Sequence, residues 1–170
     1  LRSIIFTMPH IPNMKEKTLR YPGHIEKVRL LRASGFFSTD PIEVSGVRIR
    51  PLDVTSQLLF PMWQLKEGEV DITVMKIVVE GEKDGQRICI TWDLTDRYDP
   101  ETGIHSMART TGYTATMVAR LIRAGGFNQK GVIPPEYIGS DSACMDFILD
   151  GLADRGVVYR ESVIDLIVSD

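Results

Sequence analysis

The sequence predicts an α+β domain, with a mostly antiparallel sheet carrying helices on one face. Three observations lead there. Two long apolar runs, VDITVMKIVVEG and QRICITWDLTD, flank Asp84-Gly85, a dipeptide suited to a tight hairpin turn. Apolar residues recur at helical spacing after Gly23, after Pro51 and after Ser106. Near the C-terminus VVYRESVIDLIV adds one or two further strands.

The elements follow in order. Ser3 to Met8 reads as a strand, Pro9 to Lys15 as a loop, and Lys17 to Tyr21 as extended chain. Pro22-Gly23 breaks it. Ile25, Val28, Leu30 and Leu31 then mark a helix to about Ser34, with Gly35 as its stop. Val44 to Arg50 alternates around Gly46. Pro51 opens a helix to Phe60, with Leu52, Thr55, Leu58 and Leu59 on one face. Strands are expected at about 70–81 and 86–95. Ile72, Val74, Lys76 and Val78 share one face of the first, and Thr73, Met75, Ile77 and Val79 the other. With both faces largely apolar, one should pack on helices and the other on a second sheet or subunit.

After the loop DRYDPETGIH, the stretch SMARTTGYTATMVARLIRAGG is a helix ended by Gly125-Gly126. GVIPPEYIG is a break with room for a short turn. Asp141 or Ser142 caps a last helix that turns Met145, Phe147, Ile148 and Leu152 inward and closes at Gly156. VVYRESVIDLIV supplies one or two strands. No repeat, linker or low-complexity tract interrupts the chain, so residues 1–170 read as a single domain.

The 170 residues, 43% of them hydrophobic, suffice for one core. The net charge of -3 is spread in alternating signs, which argues against nucleic acid as a partner. No apolar run spans a bilayer. Cys89 and Cys144 sit in apolar segments and suit the reduced state of a cytoplasmic protein, with a disulfide between them left open. The start at Leu1 suggests a piece of a longer chain.

No glycine-rich dinucleotide loop, Walker loop, nucleophile elbow or paired cysteine motif is present, and His10, His24 and His105 lack metal-ligand spacing. No metal or cofactor site is expected within the chain. Asp93, Asp96, Asp99 and Glu101 lack calcium-loop spacing and read as strand-end and turn residues.

Two stretches carry chemistry. In LRYPGH, Arg20 and Tyr21 stand before a turn and His24 opens a helix. In SMARTTGY, a helix entrance offers unpaired N–H groups, hydroxyls at Ser106, Thr110 and Thr111, and the planar fork of Arg109. Together these could hold a carboxylate or phosphate. Turn decoration at the first stretch, helix capping at the second, and a surface ion pair at Arg109 are the plain alternatives.

The blocks EKTLRYPGHIEKVRLL, RIRPLDVTSQLLFP, SMARTTGYTATMVARLI and KGVIPPE closely resemble the C-terminal domain of the saccharopine dehydrogenase family. The nearest likeness is to its bacterial branch with lysine 6-dehydrogenase-like proteins, over nearly the whole chain. The resemblance implies a fold like the second domain of two-domain dehydrogenases such as glyceraldehyde-3-phosphate dehydrogenase. It implies a partner Rossmann domain, absent from this chain, that binds NAD or NADP, and a homodimer formed through the sheet. The implied reaction oxidises a C–N bond of an amino acid such as saccharopine or lysine. Hydride goes to the nicotinamide, and the imine formed can be hydrolysed. Arg20 then matches a carboxylate contact, Tyr21 adds an edge or hydroxyl, and His24 exchanges the amine proton or simply caps its helix. Arg109, Thr110 and Thr111 would line the interface with the partner domain, near the bound cofactor or the far end of the substrate. Some members act on polyamine precursors, so a carboxylated polyamine is the second substrate reading. A non-catalytic oligomerisation or ligand-binding module is the third. This chain alone should not oxidise anything.

Overall fold

The computed structural model describes residues 2–166. The chain divides into two compact units, Pro12–Glu69 and a larger one made of Leu1–Ile11 with Val70–Asp170. Helices and antiparallel sheets make both up, the α+β class expected.

The larger unit begins with a short helical segment. Ser3 to Met8 is not a strand but a single helical turn, α1 (Ile4–Thr7). A short apolar run is compatible with either conformation. Local bonds decide here: Phe6 and Thr7 donate their N–H groups to Ser3 O, and Thr7 Oγ1 donates to the same oxygen. A three-stranded antiparallel sheet follows, in the order β3 (Ile72–Lys83), β4 (Gln86–Arg97), β5 (Tyr159–Asp165). Asp84 and Gly85 turn the hairpin with φ of 53° and 79°, a pair of left-handed conformations that suits Asp-Gly. Because the turn takes only two residues, the strands extend to it. Register pairs Lys83 with Gln86 and Ile72 with Arg97.

That register sets which side chains face the helices. Leu94 on β4 is opposite Met75 on β3 and Tyr159 on β5. Leu94 is 1% exposed. Alternation puts Asp96 on the same face as Leu94, because side chains two apart on a strand share a side. Helix α4 (Ser106–Arg123) packs against β3 and β4, and α6 (Ser142–Ala153) packs against α4, with α5 (Pro135–Gly139) beside α6. Met117 and Leu121 of α4, Cys144, Ile148 and Leu152 of α6, Ile138 and Val157 complete the core with Leu94. Asp141 caps α6 by accepting the Cys144 N–H at 3.0 Å, as its position predicts. On the sheet's other face Val74, Val78 and Ile164 remain exposed.

The smaller unit holds α2 (His24–Ala33), the hairpin β1 (Ile42–Val44) and β2 (Val47–Ile49), and α3 (Pro51–Trp63). The alternating stretch around Gly46 is this hairpin, turned by Ser45 and Gly46. Helix α3 runs past Pro61 to Trp63 instead of stopping at Phe60. It is tied down by Thr55 Oγ1, which donates to Phe36 O at 2.8 Å. Residues 17–21 form no strand. They are free of helix, but among the described residues no neighbouring strand supplies the ladder that a sheet requires.

Close packing between α4 and α6 rests on Gly151, where a Cβ would overlap the end of the buried Met117 side chain. Gly112, mid-helix on α4, faces open space. Glycine-to-alanine changes should therefore have opposite signs at the two positions. Gly112→Ala is expected to stabilise by roughly 0.5–1 kcal/mol through helix propensity. Gly151→Ala is expected to destabilise by about 1–3 kcal/mol through overpacking. Urea denaturation checks both. A stabilised Gly151→Ala variant would show that α4 and α6 are not packed this closely.

Candidate functional site

The entrance of α4 is built from charges that the chain supplies to itself. Its first N–H groups need acceptors. Asp71, just before β3, reaches them: Oδ1 accepts from Ser106 N at 2.6 Å and Oδ2 from Met107 N at 2.8 Å. His105 Nδ1 lies 3.3 Å from Asp71 Oδ1, and its ring stacks obliquely on Tyr98 at 5.0 Å between centroids. Ser106 is fully buried, and its Oγ donates to Thr73 Oγ1. Burial alone would raise the Asp71 carboxyl. The N–H groups of Met107 and Ser106, with His105 beside them, outweigh it and hold the carboxyl below its ordinary value.

One turn further, Arg109 points inward and is 7% exposed. Its Nε faces both oxygens of Asp96 at 3.3 Å, its Nη1 donates to Asp99 Oδ2 at 2.9 Å, and its Nη2 donates to Arg155 O at 2.9 Å. The guanidinium carbon lies 5.7 Å from the centre of the Tyr113 ring. Asp96, 4% exposed, has no solvent to stabilise its charge, so Arg109 is its counter-ion. Asp99 anchors a turn by accepting from Thr102 Oγ1 and Glu101 N. Those bonds, more than Arg109, hold its carboxyl below the usual value. Thr110 Oγ1 donates back to Ser106 O, and Thr111 is exposed on the helix surface. The surface ion pair weighed for Arg109 is in fact a buried one.

Arg20, Tyr21 and His24 belong to the smaller unit and are all exposed. Tyr21 O accepts the His24 N–H at 3.1 Å, with Pro22 and Gly23 between them. Gly23 has φ 82° and ψ -11°. This is a type II turn with proline and glycine in the positions each favours. It holds Arg20 and Tyr21 immediately ahead of the first turn of α2. Arg20 Nη1 donates to the Leu19 carbonyl, and among the described residues no carboxylate pairs with it. The remaining N–H groups of its fork are open to a ligand.

The residues that sequence reasoning missed are Asp71 and the inward role of Asp96. Strand parity held the signal for the second: Asp96 lies two residues from Leu94, and a buried acid demands a cation. For Asp71 no local signal existed, because it lies 35 residues before the N–H that it caps. Among the described residues no group of three or more His, Cys, Asp or Glu side chains is arranged to hold a metal, and no helix is long and apolar enough to cross a membrane. Cys89 and Cys144 are both free thiols.

Each of the two units combines helices with antiparallel strands, which is the α+β class. The saccharopine dehydrogenase C-terminal domain matches residues 3–157, and the chain belongs to that family. It is similar to carboxyaminopropylagmatine dehydrogenase of Synechocystis, with 25% identity over 168 residues. The match covers 96% of this chain and 40% of that enzyme, so the chain spans well under half the length of its relative.

The capping role of Asp71 has a pH signature. A carboxyl whose folded pKa is depressed stabilises the fold above its unfolded value, about 3.9, and that gain is lost as pH falls through the depressed value. Asp71→Ala should cost about 1 kcal/mol at neutral pH. The gap from the parent should close as pH drops below ~4. Denaturation curves at neutral and acid pH check this. A gap that persists undiminished into strong acid would mean that the charge of Asp71 does not contribute.

Proposed function

We propose that this chain is the substrate-binding and dimerisation part of an NAD(P)-dependent dehydrogenase acting on a C–N bond of a carboxylated amine. Membership of the family over residues 3–157 carries this reading. No strand-to-helix junction in the described residues has a glycine-rich phosphate loop, so these residues do not fit a dinucleotide. NAD or NADP would be held by another part of the protein.

The work assigned to this chain is recognition and orientation. Arg20 grips a substrate carboxylate with its forked N–H groups, which lysine would do poorly. Support comes from its exposure, its lack of an acidic partner among the described residues and the rigid turn that follows it. Tyr21 lies along the substrate beside it. His24, at the first position of α2, is placed to exchange the proton of the reacting amine. Arg109 acts through others, since its donors are directed to Asp96, Asp99 and Arg155. With Thr110 and Thr111 it forms a substrate-facing surface of the larger unit taken by itself. A second copy of the chain covers Val74, Val78 and Ile164 of the sheet.

Two substrates fit: an amino acid such as saccharopine or lysine, and a carboxylated polyamine. The name of the Synechocystis relative favours the second. Both place a carboxylate near an amine, so both predict the same loss on removing the guanidinium. In the full-length protein, Arg20→Ala should cost about 2 kcal/mol or more of substrate binding, a rise in KM of roughly thirtyfold. Nicotinamide absorbance with saccharopine, lysine and carboxyaminopropylagmatine as substrates supplies the assay and separates the two substrates. Unchanged KM and kcat in the variant would remove Arg20 from the site.

A further inference from the structure

On the larger unit, the C-terminal half of α4 and the turn after α6 border a shallow, open concavity of about 470 Å³. Its lining is Tyr113, Thr116, Ala119, Arg120, Arg123 and Arg155. Tyr113, Thr116, Arg120 and Arg123 are spaced by three, four and three residues, which places them along one stripe of the helix. Arg155 arrives from a different element. Its carbonyl is held by the buried Arg109 fork, and its own Nη1 donates to Gly151 O at 2.5 Å. No acidic residue lines the concavity, and none of the ion pairs among the described residues involves these three arginines.

We propose that this concavity is an anion site for a phosphate group. The closing turns of a helix attract cations to their unpaired carbonyls, which accounts for Arg120 and Arg123 taken alone. It does not account for Arg155, which the chain fixes beside them at both ends. Three guanidinium groups gathered around one hollow, with no carboxylate among its lining, favour an anion between them. The protein as a whole is acidic, with a net charge of -3, so this is not a generally basic surface. A single carboxylate would leave much of the charge unmatched. A phosphate carries up to two charges and accepts several forked bonds. Tyr113 and Ala119 in the lining add apolar surface beside the arginines, which an organic group could contact. The site belongs to a different unit from the Arg20 turn and does not depend on the dehydrogenase reading.

The test is calorimetric titration of the full-length protein with pyrophosphate, inorganic phosphate, phenyl phosphate and acetate. Pyrophosphate should bind, weakening steeply with added salt, and acetate should not. Arg123→Ala and, separately, Arg120→Glu should each weaken pyrophosphate about tenfold or more. Arg87→Ala, on the sheet, should leave it unchanged. Phenyl phosphate binding tighter than phosphate assigns an organic phosphate as ligand, and the opposite order assigns free phosphate. Absence of pyrophosphate binding at millimolar concentration overturns the proposal. So does binding that Arg123→Ala and Arg120→Glu leave intact, or that Arg87→Ala weakens equally.

Discussion

A buried guanidinium organises the larger unit. Arg109 ties the end of β4, the turn at Asp99 and the carbonyl of Arg155 to one helix. Taking a charge out of water is costly, and only a full set of partners offsets it. Arg109 has that set, and Asp96 beside it has no other counter-ion among the described residues. Loss of the cation would leave a carboxylate buried and unpaired, a far larger penalty than the loss of a surface pair. The position of α4 over the sheet is therefore constrained by this ion pair as well as by Met117 and Leu121.

That constraint bears on recognition. The helix entrance that resembles an anion site already holds a carboxylate, from Asp71. The arginine next to it is committed to the fold. Groups that face inward in this way are poor candidates for contact with a passing substrate, and good ones for holding a surface still. The turn at Tyr21–His24 is the opposite case. Its backbone is fixed by proline and glycine, while Arg20, Tyr21 and His24 project into solvent. Rigid backbone with uncommitted side chains is what orientation of a small charged metabolite requires.

Much of the fold was legible in the sequence, for identifiable reasons. Asp84-Gly85 and the alternation on either side define the long hairpin locally, and Asp141 marks the start of α6. The misread elements are those where local pattern is ambiguous. Ile4, Ile5 and Phe6 suit a strand or a helical turn equally, and bonds to Ser3 O select the turn. Residues 17–21, expected to be extended, are free of helix, and among the described residues they pair with no strand. The site was legible as a set of residue types and less so as a set of roles. Arg109 is recognisable as chemically capable, but the direction it faces follows from the packing of α4 on β4, which brings it to the buried Asp96, a tertiary fact. The Pro22-Gly23 turn is wholly local, and its geometry follows directly from its residues.

The most direct measurement is a crystal structure of the full-length protein with a carboxylated amine bound. The account predicts the Arg20 guanidinium forked on the carboxylate, with Arg109 still turned inward to Asp96 and Asp99. Arg109 released from those acids to grip the ligand, with Arg20 in open solvent, would contradict it.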